Sequence, residues 1–186
     1  MNALLEQRVA RLEAIDAIRR LKAQYAALAD QKYTRCYALQ PDPVMHDVAR
    51  QQAECFTEDA VWQGGDGFGS DLVGRAAIEQ WFRRSPWRFA LHYYTGERID
   101  VIDADRAEAT WRLWQIALRD DSGRGVLLAA ITAEQYARGS DGAWRISHMC
   151  FEQLHMVETG VQPLPFAADF AGLDAIRGRT HLLESE

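Results

Sequence analysis

The N-terminal part of the chain carries the apolar spacing of an amphipathic helix. Between residues 3 and 30, apolar residues recur at steps of three and four, which places them along one stripe of a helix. The stripe consists of Leu5, Val9, Leu12, Ile15, Ile18, Leu21, Tyr25 and Leu28. The pattern predicts one long helix that buries this stripe and ends near Asp30, where the spacing stops.

Two shorter helices are predicted after it. One spans about residues 43–56 and opens at Pro43, because proline is favoured in the first turn of a helix. The other spans residues 74–84. We expect their inward residues to be Val44, Val48 and Cys55 in the first helix and Ile78, Trp81 and Phe82 in the second. Between the two helices, residues 60–63 are typical of a short strand, and the glycine-rich run at 64–71 indicates a flexible loop.

From Arg88 onward the periodicity changes from helical to strand-like. Four strands are predicted, at 88–103, 106–119, 124–138 and 143–156. The turns between them are short and rich in Asp and Gly, so the strands must be antiparallel neighbours. Three helices followed by such a sheet predict an α+β fold.

One domain over residues 1–162 and a C-terminal tail over 163–186 are expected. The tail includes a possible short helix at 167–176.

Alternation along the first long strand selects candidate pocket residues. It puts Ala90, His92 and Tyr94 on the same face, so Tyr94 is a candidate wall residue beside His92. Trp62, from the short strand, is another. Trp111 and Trp114 fall on opposite faces, so at most one of them lines a pocket, and we assign Trp114 to it. The other tryptophan would face an interface between subunits, because the outer face looks too apolar for water.

Composition excludes several classes of function. The chain has 186 residues and a net charge of -6, which argues against a nucleic-acid partner because phosphate binding needs a basic face. No apolar run is long enough to cross a bilayer, and the N-terminus lacks the apolar core of a signal peptide. Three scattered cysteines suit reduced thiols, so we expect a cytoplasmic protein. Lys32 and Arg75 are interpreted as solvated charges near a pocket mouth.

Several local phrases resemble one known superfamily. The phrases are FTEDAVW, VGRAAIEQWF, LHYYTGERIDV, RAEATWRLWQ and EQYARGSDGAWRISH. They resemble the SnoaL-like, nuclear transport factor 2-like superfamily, and the match covers about residues 10–156. The resemblance implies a cone-shaped, barrel-like fold, in which three helices pack against a curved antiparallel sheet around a pocket. It leaves the activity open, because this fold hosts both enzymes and non-enzymes.

The resemblance also implies a catalytic pair. In lyase members of the family, an aspartate ends the first helix and a histidine lies on the strand after the third helix; Asp30 and His92 stand at these positions. Tyr25 matches a pocket tyrosine of the dehydratase members. His148 stands where dehydrochlorinase members have an arginine, which puts halide elimination in doubt and makes His148 a second candidate polar group in the pocket.

Two functions of different classes follow. The first is a lyase, dehydratase-like, or an isomerase that acts without cofactor or metal on a hydrophobic, aromatic or polycyclic hydroxylated small molecule. In this reading His92 takes a proton, Asp30 orients the imidazole and Tyr25 assists. The alternative is a non-catalytic module that binds a hydrophobic small molecule. Protein interaction through the sheet face, with a filled interior, is a third possibility. A homodimer or homotrimer is expected in each case.

One geometric observation separates these functions. A lyase needs a carboxylate within hydrogen-bond reach of the His92 ring, with the other ring nitrogen facing a void, whereas a binding module needs only the void. A metal site is discounted, because His148 and His155 have odd spacing and would face opposite sides of an unbroken strand.

Overall fold

A computed structural model describes residues 3–159, apart from the side chains of residues 66 and 67. Its elements are α1 (Ala3–Asp30), α2 (Asp42–Ala53), β1 (Phe56–Gln63), α3 (Gly65–Phe68), β2 (Leu72–Val73), α4 (Arg75–Phe82), β3 (Trp87–Val101), β4 (Arg106–Arg119), β5 (Gly125–Arg138) and β6 (Trp144–Glu158). The proposed domain boundary at residue 162 and the tail helix at 167–176 lie outside the described residues.

The long helix forms where the apolar spacing predicts it, but only its second half is buried. Ile18, Tyr25 and Leu28 pack in the core, whereas Leu5 and Leu12 are 53% and 66% exposed. The first half of α1 lies beside the turns at the end of the sheet, where it borders an open groove. The expectation that the whole stripe is buried is therefore wrong for the first turns, because no sheet surface lies beneath them.

The two short helices also form, with one change in the first. Pro43 lies in the first turn of α2, as expected. Val44 is exposed rather than inward, and Met45 takes its place in the core. The inward face of α2 is thus shifted by one residue, because its buried side is set by Val48 and Gln52, at steps of three and four from Met45.

The four long strands form the antiparallel meander that the sequence predicts. The sheet order is β2-β1-β6-β5-β4-β3. Strand β1 is longer than expected and pairs in parallel with β6, which makes the six-stranded sheet mixed. The glycine-rich run holds the one-turn helix α3 before β2 rather than loop alone.

The helices cover one face of the curved sheet, and the α+β prediction is confirmed. The buried core lies between α1, α2, α4 and the inner face of the sheet. On β4 this inner face carries the odd-numbered residues from Ala107 to Ala117, and on β5 the even-numbered residues from Val126 to Tyr136. No helix within residues 3–159 is long and apolar enough to cross a membrane.

Candidate active site

Asp30 and His92 meet where the end of α1 crosses the edge of the sheet. Strand β3 is the last strand in the sheet order, so its outward N–H groups have no strand partner. The backbone N–H of His92 donates to Asp30 Oδ1 at 2.9 Å, and His92 Nδ1 lies 2.8 Å from the same oxygen. One carboxylate oxygen thus holds both the strand edge and the imidazole.

This contact selects one form of the imidazole. A carboxylate only accepts hydrogen bonds, so the proton of a neutral ring is held on Nδ1 and Nε2 keeps its lone pair. Within residues 3–159, His92 Nε2 has no hydrogen-bond partner, and the ring lines the interior cavity. Asp30 also lies at the C-terminus of α1, the end of a helix that favours cations, with no basic residue in the last turn. Both features stabilise an imidazolium at His92 once it takes up a proton.

The direction of Asp30 follows from where α1 lies. Asp30 lies five positions after Tyr25, which puts the two side chains on different sides of the helix. Tyr25 points into the cavity, and Asp30 instead reaches His92 from the β3 side. The carboxylate therefore supports the imidazole from behind and need not enter the cavity.

The cavity is small and largely aromatic. It encloses about 80 Å³ between the inner face of the sheet and helices α1, α2 and α4. Its aromatic lining consists of Tyr25, Tyr33, Trp62, Phe68, Trp81, Phe82, Trp87, Tyr94 and Phe151. The structure thus places the predicted wall residues Trp62 and Tyr94 in the lining. The exposed residues Arg84 and Pro86 mark the side on which the cavity opens.

The glycine-rich run completes one wall. A Cβ on Gly64 would lie 2.9 Å from the ring of Trp62, and one on Gly65 would lie 2.8 Å from the carbonyl oxygen of Phe151. Gly65 also has a φ of +58°, which other residues rarely adopt. These glycines let the chain approach closely, so that Phe68 can pack on Trp62 and Phe151.

Tyr25 is a buried phenol that lines the same cavity as His92. Burial raises its pKa well above the ordinary value, and the charge of Glu134 acts in the same direction. Contacts of its hydroxyl with Trp62 and Tyr94 oppose this shift without reversing it. Tyr25 therefore stays protonated near neutral pH and can donate a hydrogen bond to a ligand oxygen.

Two carboxamides in the cavity were not identified from the sequence. Gln115 is the cross-strand partner of His92, so the two side chains share the inner face as neighbours. Gln52 reaches the cavity from α2. Gln115 Nε2 and Gln52 Oε1 are buried without a hydrogen-bond partner among residues 3–159. Alternation on β4 would have placed Gln115 with Trp111 on the inner face, but only the strand register brings it beside His92.

A buried ion pair lies behind the aromatic wall and was also not identified. Lys22 Nζ lies 2.5 Å from Glu134 Oε1, and both side chains are almost fully buried. Thr132 and Tyr136 donate to the same carboxylate. The Lys22 ammonium also lies 3.7 Å from the centre of the Tyr94 ring, a cation–π contact that fixes this cavity wall. Burial lowers the pKa of Lys22, and Glu134 opposes the shift.

The structure contradicts the predicted positions of two pocket residues. Trp114 is 55% exposed on the outer face of β4, across from Tyr93, and Trp111 is the buried one of the two. His148 also lies outside the cavity, on the outer face of β6 opposite Gln135. The prediction that Trp114 and His148 line the pocket is wrong, because both project from the other side of the sheet.

A β-bulge overturns the parity argument for the two histidines of β6. The register shifts between the pairs Ile131–Gln153 and Thr132–Phe151, which leaves Glu152 as an extra residue. His155 therefore shares the outer face with His148 despite their odd spacing. Among residues 3–159, no three His, Cys, Asp or Glu side chains form a metal-binding group.

The fold is similar to several solved structures at low sequence identity. A candidate scytalone dehydratase from Novosphingobium aromaticivorans aligns with a TM-score of 0.66 at 16% identity, covering 83% of this chain and 93% of the other. A hexachlorocyclohexane dehydrochlorinase from Novosphingobium barchaimii aligns with a TM-score of 0.64 at 19% identity, covering 83% and 97%. A candidate aromatic ring hydroxylase from Novosphingobium aromaticivorans gives 0.62 at 23% identity, covering 80% and 94%.

Sequence comparison gives the family. No curated protein sequence matches the chain. A family profile described as "SnoaL-like domain" matches residues 46–150, more than half of the chain. The match runs from α2 to β6, and the solved structures above share the surrounding architecture. The predicted resemblance is therefore confirmed, and the chain belongs to the SnoaL-like domain family.

Proposed function

We propose that this protein is a cofactor-independent lyase, dehydratase-like, or an isomerase that acts on a small hydroxylated aromatic compound. The observation that carries the proposal is the bond from His92 Nδ1 to Asp30, at 2.8 Å, together with the unpartnered Nε2 on the cavity side. A module that only binds a ligand needs the cavity but has no need of this pair. The third possibility, protein interaction through the sheet face, requires a filled interior. The presence of the cavity does not support it.

The chemistry follows from the position of the two nitrogens. His92 Nε2 takes a proton from a carbon next to a carbonyl or an aromatic ring, and Asp30 stabilises the imidazolium that forms. The electron pair left on carbon forms the new double bond as hydroxide leaves the next carbon, and the departing oxygen takes the proton from the imidazolium to become water, which restores the neutral His92 ring. Return of the proton to a different carbon, without loss of hydroxide, gives isomerisation instead. Tyr25 donates a hydrogen bond to the carbonyl or to the departing oxygen.

The size of the cavity restricts the substrate. An engineered protein cavity of about 150 Å³ accommodates benzene, whereas this cavity encloses about 80 Å³. A single ring enters only if side chains at the open side move, and a polycyclic compound requires a much larger change. We therefore favour one-ring substrates over the polycyclic ones. The dehydratase and dehydrochlorinase names among the structural neighbours are consistent with elimination.

The test is a turnover screen with variants of the pair. Hydroxylated one-ring ketones and acids are incubated with the protein, and loss of water or migration of the double bond is followed by absorbance and mass spectrometry. We expect His92→Ala and Asp30→Asn each to lower kcat by about 10²–10⁴-fold, the usual contribution of an oriented general base.

His46→Ala is the matched control, since His46 is exposed on α2 and does not line the cavity. It should leave kcat within about twofold of the wild type, as expected for a surface substitution. Turnover that is unchanged in His92→Ala would remove His92 from the mechanism. Ligand binding without any turnover across the screen would instead favour the binding module.

A further inference from the structure

The chain uses lysine in an unusual way. Of 21 lysine and arginine residues, only Lys22 and Lys32 are lysines, and both are buried. Lysine is rarely buried unless its ammonium is paired. Lys22 has Glu134 as its partner. The position of Lys32 therefore requires its own explanation.

Lys32 is a buried cation that has no carboxylate partner, so its interpretation as a solvated charge is wrong. It lies two residues after Asp30, is only 7% exposed and lines the cavity together with Tyr25 and His92. Its ammonium lies 4.7 Å from the centre of the Phe82 ring, and no ion pair or hydrogen bond to Nζ is formed by residues 3–159. Asp30, the nearest acid along the chain, is bound to His92 instead. Burial alone lowers the pKa of Lys32 to about 7.

Other polar groups in the cavity also lack partners. The Gln115 side-chain nitrogen and the Gln52 side-chain oxygen belong to residues that are 1% and 2% exposed, and neither atom has a hydrogen bond among the described residues. A buried polar group without a partner is costly, and a buried charge more so, unless a ligand supplies the missing contact. The cavity thus combines an unpaired ammonium and carboxamides with aromatic walls.

We propose that Lys32 binds an anionic oxygen of the ligand, and that the ligand is an aromatic carboxylate whose ring packs against the aromatic lining. This deepens the proposed function by naming the charge of the substrate, and it rests on that function only in using the same cavity. The ligand's carboxylate is the counter-ion for Lys32 that residues 3–159 do not provide. The ring supplies the apolar area, and the carboxylate fixes the orientation of the ring relative to His92.

The ionisable groups around the cavity determine how binding depends on pH. Those that line the cavity with Lys32 are Tyr25 on α1, Tyr33 in the next loop, Arg84 after α4, and His92 and Tyr94 on β3, whereas Asp30 is bound to His92 behind the cavity. The tyrosines are neutral, since burial raises the pKa of Tyr33 to about 12 and those of Tyr25 and Tyr94 well above 10. Arg84 is exposed at the rim, where water screens its charge. Because the ammonium form binds the anion, affinity for a carboxylate falls as pH rises through about 7.

The experiment compares benzoate with benzamide, which has the same shape and no charge. Binding of each is measured by isothermal titration calorimetry at about pH 6 and about pH 8.5, where benzoate is ionised throughout. In the wild type we expect benzoate to bind about tenfold more tightly than benzamide at the lower pH, as a charge-assisted hydrogen bond provides. The preference should shrink at the higher pH and fall to about twofold or less in Lys32→Met, with benzamide affinity unchanged.

Two further variants make the outcome specific. Arg84→Gln removes the other cation of the lining and should keep the preference, and His92→Asn should keep it as well while abolishing turnover. No preference for benzoate in the wild type, or a preference that survives in Lys32→Met, overturns the proposal. Loss of the preference in Arg84→Gln but not in Lys32→Met overturns it too. Binding is measured without turnover. The role of Lys32 can therefore be tested even if the protein proves not to be a lyase.

Discussion

The Lys32 ammonium makes the stability of the ligand-free protein depend on pH. In the unfolded chain this lysine titrates near 10.5, and in the folded protein near 7 because burial disfavours its charge. Between these values the unfolded state binds more protons, so Lys32 makes stability rise with pH across this window. Below about pH 7 both states are protonated and the full cost of the buried charge is present.

Replacing Lys32 with methionine should therefore stabilise the protein at low pH and much less at high pH. We expect the free energy of unfolding of Lys32→Met to exceed that of the wild type by a few kcal/mol at about pH 6, within an upper bound of about 5 kcal/mol from 1.36 kcal/mol per pKa unit. The gain should have largely disappeared at about pH 10. Urea unfolding at several pH values measures it, and an equal difference at every pH would contradict the burial of an unpaired ammonium.

For single residues, sequence patterns predict which side chains share a face of a strand, but not which of the two faces is buried. Alternation already places Trp111 and Trp114 on opposite faces. Deciding which of them is buried requires the other residues on each face. Glu108 and Arg112 share the face of Trp114, which indicates that this face meets water. Gln115 shares the face of Trp111 instead. The contact between Asp30 and His92 could not be derived from spacing, since it depends on how α1 crosses the edge of the sheet; the family resemblance indicated these two residues.

At the scale of elements, the Lys22–Glu134 pair joins the middle of α1 to the inner face of β5. Removing one partner of a buried ion pair typically costs about 3–5 kcal/mol, because the other charge is left unpaired. We expect Lys22→Met to lower the free energy of unfolding by an amount of this order, measured by urea unfolding. Adding Glu134→Gln to Lys22→Met should restore part of the loss. Arg20→Met, on the exposed face of the same helix, should change stability by about 0.5 kcal/mol or less.

The elements themselves were largely predictable, because their patterns are local. The spacing in α1 and the alternation in β3 to β6 depend on neighbouring residues, and these elements form within a few residues of the predicted ends. The exposure of Leu12 and the face of His155 were not predictable in this way. The first depends on where the sheet ends beneath α1, and the second on the bulge at Glu152. Both are properties of contacts between elements.

At the scale of the whole molecule, the outer face of the sheet is more apolar than a surface in water requires. Trp114 and Tyr93 are adjacent across β3 and β4 and are 55% and 50% exposed. Other apolar residues continue the patch on the neighbouring strands, namely Leu91, Ile116, Leu127, Ala129, Ile131 and Val157. Contiguous exposed apolar patches of this kind mark association surfaces. Self-association through this face, as a homodimer or homotrimer, remains a prediction.

A single substitution in the patch tests this prediction. We expect sedimentation velocity to show the wild type as a dimer or trimer of the 21.1 kDa chain, and Trp114→Arg to shift it toward the monomer, because an arginine there would have to be desolvated in the interface. Thr110→Arg is the matched control, since Thr110 lies on the same strand and face but pairs with Arg98 outside the patch. A wild-type protein that stays monomeric at high concentration would contradict the prediction of self-association. Equal dissociation by Thr110→Arg would instead move the interface toward the polar end of the sheet.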